Sequence, residues 1–440
     1  MEQIEFNIHI LKRFILKIEM EQKLYQETMR ILINQAKNIR DKYKHSLEIE
    51  SFLQQLFKMK DVAKRNSYYE EFKQKKINDT LCYGDIFYLQ ENNLEDDLEN
   101  GRITYGIKNY KINADFYHPS IGSEKLYQVV EALKSAGEKV ISNSIQAFEK
   151  CFEPVLYYLI KTKPEAYLHN KNIAYSDIVS QNIEQLKEKI INDEIDKLMR
   201  GVSDTIKKIN DIHNLHLEKY QDLWDSYIEM DLHRNLIIHN DGLVNAEYIK
   251  KVPEKYKEAK QYEYLPCSKI CIEEKTNNLI KFAFLLFYLI GESESELDEL
   301  DLTAFDLLKN QNWDVAEYAY SLLLKTSKAS HSSKVMWQIN WLNAKKHKYG
   351  IEKTKNEIEK LDVTGMEKLF SVAKNLLLED YEAIEDDLES CYPHDYNSYY
   401  IHTWPIFIEF RKTKYYQNFR EKHQEDFEQY DFTPKSKDND

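Results

Sequence analysis

Residues 1 to 77 contain neither proline nor glycine, while apolar side chains recur at Ile4, Ile8, Leu11, Ile15 and Ile18, then at Leu24, Ile31, Leu47, Phe52 and Leu56. Helical spacing without a breaker predicts two or three long amphipathic helices. They read as a helical hairpin packing on the rest of the chain, with a dimerising coil as the alternative. Breakers stay scarce throughout: 10 Gly and 8 Pro in 440 residues, with 42% hydrophobic and 31% charged content. That balance predicts a mainly α protein and excludes disorder or a Gly-rich β architecture. The length allows two or three domains, each with its own core.

Residues 78–122 break the helical pattern. Leu81 to Leu89 and Arg102 to Ile107 alternate β-favouring side chains around an acidic, Asn- and Gly-containing stretch, which predicts a small β-ribbon or an irregular insert. Helical periodicity resumes after Pro119 and Gly122, and residues 123–290 read as one helical domain. Its helices are expected near 123–138, 141–162, 175–199 and 212–239, with Ser176-Asp177 and Ser203-Asp204 as N-cap signals. Residues 277–290 form a helix apolar all round, which predicts burial. The acidic stretch Gly291 to Asp301 is the expected linker. Residues 302–430 read as short paired helices loosely resembling tetratricopeptide repeats, with Trp337, Trp341 and Trp404 in their core. Residues 431–440 read as a disordered tail.

Several classes of function find no support. The most apolar run, Leu279 to Ile290, includes Lys281 and is 12 residues long, against roughly 20 for a membrane span. The N-terminus carries acids ahead of its apolar residues, unlike a signal peptide, so a cytoplasmic protein with reduced cysteines and no membrane partner is expected. Cys267 and Cys271 lack a second matching pair for zinc, and His213 with His216 lacks a third ligand, so neither a metal nor another cofactor is expected. No Gly-rich phosphate loop and no G-x-S-x-G is present. The formal net charge of −14 argues against a general RNA-coating protein. Charge is uneven, however, with 7 Lys or Arg between Lys58 and Lys76 and 7 acids without a base between Gly291 and Asp306.

The chemistry-bearing stretch runs from Asp231 to Ile249. Arg234 and His239 are separated by four residues, and Arg–His pairs at this and the two other allowed spacings are expected by chance about once in such a chain. Arg40 with His45 is such a match, but the residues between them are charged or polar. Between Arg234 and His239 stand Leu236, Ile237 and Ile238, which can be buried and would fix the helix. Asn235 and His239 are i and i+4 and share a face, while Asp231 stands one turn earlier, placed to orient Arg234 or Asn235. Asn240-Asp241-Gly242 supplies a helix stop, with Gly242 suited to the left-handed position.

Arg234-Asn-Leu-Ile-Ile-His-Asn-Asp-Gly-Leu-Val resembles the signature of HEPN domains, in which Arg-Asn, apolar residues and His-Asn precede a glycine. Ile191 to Gly201 is similar to the helix that precedes this signature in bacterial members. The resemblance covers roughly residues 123–255. It implies a helical bundle that homodimerises, joining two Arg–His motifs into a composite cleft that cuts single-stranded RNA without metal. Arg234, Asn235 and His239 would be catalytic, with Asp231 and Asn240 in support. The family resemblance further implies a toxin or anti-phage defence effector, with a protein partner or inhibitor at the C-terminal helices. A non-catalytic, dimeric interaction or scaffold protein stays open beside it, motivated by the net acidity and by family members that have lost catalysis.

Overall fold

The computed structural model describes residues 7–59, 62–76, 87–89, 105–107, 120–169, 182–291 and 294–428. The chain is mainly helical, as its composition predicts. In order come α1 (His9–Lys42), α2 (Lys44–Lys58), α3 (Val62–Gln74), α4 (Ser120–Thr162), α5 (Pro164–Leu168), α6 (Ile183–Met199), α7 (Val202–His213), α8 (Gln221–His239) and α9 (Ala246–Lys251). They are followed by α10 (Lys269–Ile290), α11 (Glu294–Lys309), α12 (Trp313–Leu323), α13 (His331–Tyr349), α14 (Ile351–Glu359) and α15 (Lys368–Leu378). The last four are α16 (Glu385–Cys391), α17 (Ser398–Thr403), α18 (Lys414–Lys422) and α19 (Gln424–Glu428). Within the expected insert, β1 (Phe87–Leu89) pairs antiparallel with β2 (Tyr105–Ile107), with Tyr88 opposite Gly106. The tail expected at 431–440 and the Ser176-Asp177 cap lie outside the described residues.

Two compact units can be distinguished, a smaller one from residues 22–140 with 267–269 and a larger one from residues before 22, 141–266 and 270 onward. The boundaries at 21 and 140 fall inside α1 and α4. A buried stripe begins at Ile8, just before α1, and continues along it through Leu11, Ile15, Ile18 and Tyr25, whereas Leu24 and Ile31 lie off that face and stay more than half exposed. The helices expected at 123–138 and 141–162 are one helix of 43 residues. Gly137 does not break it. A Cβ there would stand 2.8 Å from the Cβ of Cys267, so the glycine admits a close approach.

Three further expectations are corrected. The acidic stretch after Gly291 is no linker from 294 on: α11 buries Leu297, Leu300, Ala304, Leu307 and Leu308 along one stripe. Helix α7 is preceded by Gly201 with no side-chain cap, because the Ser203 hydroxyl turns instead to Asp231. The helix expected from 212 begins at Gln221, since Asn214 and His216 take left-handed backbone at φ 49° and 57° and break the run. Elsewhere local signals decide the ends. Asn182 and Gln185 form a reciprocal capping box at the start of α6, and Asn312 and Ser330 cap α12 and α13.

The core of the larger unit gathers on α10, buried on nearly every side through Leu279, Ile280, Phe282 and Phe284. Phe282 lies 5.1 Å from Tyr227 of α8 and 5.9 Å from Phe148 of α4, ring centre to ring centre. That aromatic contact fixes α8 against its neighbours. Toward the C-terminus, α12 packs on α13 and α13 on α14 and α15, with Trp337 and Trp404 buried. Trp341 is only half-buried and lies under the Lys345 ammonium at 4.4 Å.

Candidate functional site

Helix α8 carries the Arg–His stretch and is held at both ends. Tyr227 sits among Phe148, Phe282 and Trp224 toward its start. Leu236 packs with Val244, Tyr248 and Val252 at its end. The last turn closes when the N–H groups of Asn240 and Gly242 both donate to the Leu236 carbonyl, at 2.8 and 3.0 Å. Gly242 is left-handed as expected, at φ 77°, but Asp241 shares that conformation at φ 50°. The Asn240 side chain donates to the Leu243 carbonyl at 2.6 Å, and Val244 N–H donates to the Glu263 carbonyl at 2.9 Å. Asn240 therefore ties the chain reversal.

Arg234 donates through Nη2 to Glu149 Oε1 at 2.6 Å and to Asp231 Oδ1 at 3.1 Å. Its side chain is 23% exposed, and its Nε is buried with no acceptor among the described residues. Asp231 in turn accepts from the Ser203 hydroxyl at 3.3 Å, so it orients Arg234 rather than Asn235. Burial lifts the Glu149 carboxyl above its ordinary range, against the pull of Arg234 and with the Asp231 charge adding to the rise. Two carboxylates around one guanidinium leave this cluster net negative when all three are ionised. Asn235 is half-buried and His239 exposed, and neither has a hydrogen-bond or ionic partner among the described residues.

The expected site residues are thus distributed. Arg234 and Asp231 meet, Asn240 belongs to the turn, and Asn235 and His239 stand free of both groups. Of the three apolar residues between Arg234 and His239, Leu236 is buried, Ile237 half-buried and Ile238 54% exposed. Ile238 corrects the expectation of burial, since three successive residues sweep most of a helix circumference and cannot all face one core. Glu149 and Ser203 are the partners that sequence reasoning missed. No local signal points to Glu149, which is 85 residues away from Arg234 in the chain.

A second polar cluster occupies another face of α8. Lys275 Nζ donates to Glu229 Oε1 at 2.7 Å and to His233 Nδ1 at 2.9 Å, and the Tyr248 hydroxyl donates to the same Glu229 oxygen at 3.2 Å. Burial, helped by the Lys275 charge, holds the His233 imidazole well below its ordinary pKa, so it accepts from Lys275 as the neutral ring. Glu229 Oε2 is buried without a partner among the described residues. Glu229, Tyr248 and Lys275 line a cavity of about 390 Å³. No sequence signal marked this cluster: Glu229 and His233 are i and i+4 on one helix, and Lys275 comes from another.

The constellations set aside on sequence grounds are occupied in other ways. His213 meets the Tyr167 hydroxyl at 3.0 Å, and His216 meets Glu218 at 3.0 Å. Cys271 donates its thiol to the Pro266 carbonyl, and burial pushes its pKa up. Cys151, Cys267, Cys271 and Cys391 are free thiols, and among the described residues no group of three His, Cys, Asp or Glu is arranged to hold a metal. No described helix is long and apolar enough to cross a membrane. No family model, curated protein or solved structure matches this chain.

Proposed function

We propose that this protein is a metal-independent endoribonuclease acting on single-stranded RNA, with Arg234 and His239 of two copies forming one composite site. One observation carries the reading: a rigidly held guanidinium and, at the end of the same helix, an exposed imidazole without a partner. Arg234 is fixed by Glu149 and Asp231 through Nη2, while its Nη1 donors have no partner among the described residues. Those donors suit a phosphoryl oxygen. His239 can take the proton of a ribose 2′-hydroxyl, whose oxygen then attacks the adjacent phosphorus. The bond from phosphorus to the 5′-oxygen breaks, and that oxygen takes a proton from His239 of the partner subunit. The products are a 2′,3′-cyclic phosphate and a 5′-hydroxyl. Asn235 shares a helix face with His239 without bonding to it, and its free amide would hold a phosphate oxygen of the RNA. The resemblance of residues 123–255 to HEPN bundles supports dimerisation, and the repeat-like helices after 302 offer a partner or inhibitor a surface. A toxin or defence role rests on that resemblance.

The test is cleavage of a labelled single-stranded RNA in EDTA by wild type, Arg234→Ala and His239→Ala. Cleavage by wild type alone, leaving cyclic phosphate ends, is expected. Equal cleavage by His239→Ala, or none by any protein, overturns the proposal. A second reading, a non-catalytic dimeric scaffold, is favoured by the two carboxylates that already occupy Arg234. It predicts a wild-type dimer that leaves RNA intact.

A further inference from the structure

A second cavity, of about 380 Å³, lies among the C-terminal helices, far in sequence from the Arg–His stretch. Its lining includes the rings of Phe305, Tyr396, Tyr400 and Trp404, the carboxylates of Asp301 and Asp395, and no Lys, Arg or His. The aromatic walls are fixed by their own polar ends. Trp404 Nε1 donates to Asn340 Oδ1 at 3.0 Å, and the Tyr396 hydroxyl donates to the Leu369 carbonyl at 2.6 Å. Trp404 meets Phe305 edge-on at 6.1 Å and lies 5.9 Å from Tyr396. The rings therefore converge on one space without stacking it shut.

The acids are the unusual part. Among the described residues neither Asp301 nor Asp395 forms an ion pair. Asp301 is held by Trp337 and Tyr320, and burial, outweighing those hydrogen bonds, pushes its carboxyl up to about 6. For the partly buried Asp301 a carboxylate beside aromatic walls without a counter-ion is unfavourable, while Asp395 is exposed to solvent at the edge of the cavity. A cation placed there gains from the carboxylates and from the ring faces together. An anion meets two like charges, and an apolar guest supplies neither acid with a counter-ion.

We infer that this cavity binds an organic cation, a guanidinium or alkylammonium group, between the aromatic walls with Asp301 and Asp395 as counter-ions. The volume suits a group of side-chain size. The same chemistry can arrive on a free small molecule or on an Arg or Lys side chain of a polypeptide. Leu302 and Tyr400, 57% and 42% exposed, leave apolar surface in the same lining for whatever carries the cation.

The full-length protein would be titrated calorimetrically with N-acetyl-arginine amide, with tetramethylammonium chloride and with neutral N-acetyl-glutamine amide at matched ionic strength. Saturable binding of at least one cation and none of the glutamine compound is expected. Asp395→Asn and Asp301→Asn should each weaken binding about fivefold or more, with melting temperature unchanged or raised, which separates lost binding from lost fold. A capped Ala-Ala-Arg-Ala-Ala peptide binding about tenfold tighter than the free cations assigns the cation to a polypeptide, and equal affinity assigns it to a small molecule. No saturable cation binding, equal binding of the glutamine compound, or unchanged affinity in both variants overturns the inference.

Discussion

His233 and His239 lie on one helix in opposite surroundings. His233 is 1% exposed, accepts a hydrogen bond from Lys275 at 2.9 Å and is held neutral by burial. His239 is exposed at the helix end and has no partner among the described residues. Six residues turn a helix by roughly 240°, enough to move the same side chain from core to solvent. Burial has made one imidazole a structural acceptor, while the other stays open to solvent. A comparable contrast separates Lys275, enclosed with Glu229, from Arg234, which Glu149 and Asp231 hold near the surface.

The contrast can be broken or sharpened experimentally. The largest expected effect is on rate. His239→Ala should lower RNA cleavage by about 10²–10⁴-fold, the usual yield of a positioned acid–base group. Its unfolding free energy should stay within about 0.5 kcal/mol of wild type in a urea titration, as for an exposed residue. A destabilised His239→Ala would mean that both histidines are structural.

Glu229→Ala should act the opposite way. It leaves Lys275 and His233 enclosed without their carboxylate and should cost about 3–5 kcal/mol of stability. The urea midpoint checks this, and a shift under about 1 kcal/mol would mean that the cluster is far wetter than its burial implies.

The pH dependence follows from His233. Its folded pKa is depressed below the unfolded value, so the stability it contributes is present above about pH 6.5 and is lost as pH falls through the window beneath. Wild type should lose up to about 1.4 kcal/mol per pH unit there from this group. His233→Gln should flatten that part of the curve, and identical slopes would exclude a neutral buried imidazole. The smallest effect belongs to the turn. Asn240→Ala removes one hydrogen bond to the Leu243 carbonyl and should cost about 0.5–1.5 kcal/mol. Cleavage should then fall only as far as His239 loosens.

Much of the fold was legible. The three N-terminal helices, the apolar helix ending at Ile290 and the stop at Asn240 to Gly242 follow from spacing, breakers and caps. Where expectation failed, a contact distant in sequence intervened. Ser203 reads as a cap until Asp231 claims its hydroxyl. The acidic run after Gly291 reads as a linker until its sparse leucines find a core. At the candidate site, the spacing of Asp231, Arg234, Asn235 and His239 was visible, but Glu149 and Lys275 were not.

What the sequence alone determined is therefore local: helical content, the phase of Arg234 and His239 on one helix, and the turn that ends it. Those depend on hydrogen bonds and side chains within a turn or two of each other. Only tertiary structure decided which carboxylates enclose Arg234, which histidine is buried and which acids share an aromatic cavity without a counter-ion. Burial and ion pairing are set by what packs opposite a face, and those partners arrive from elsewhere in the chain.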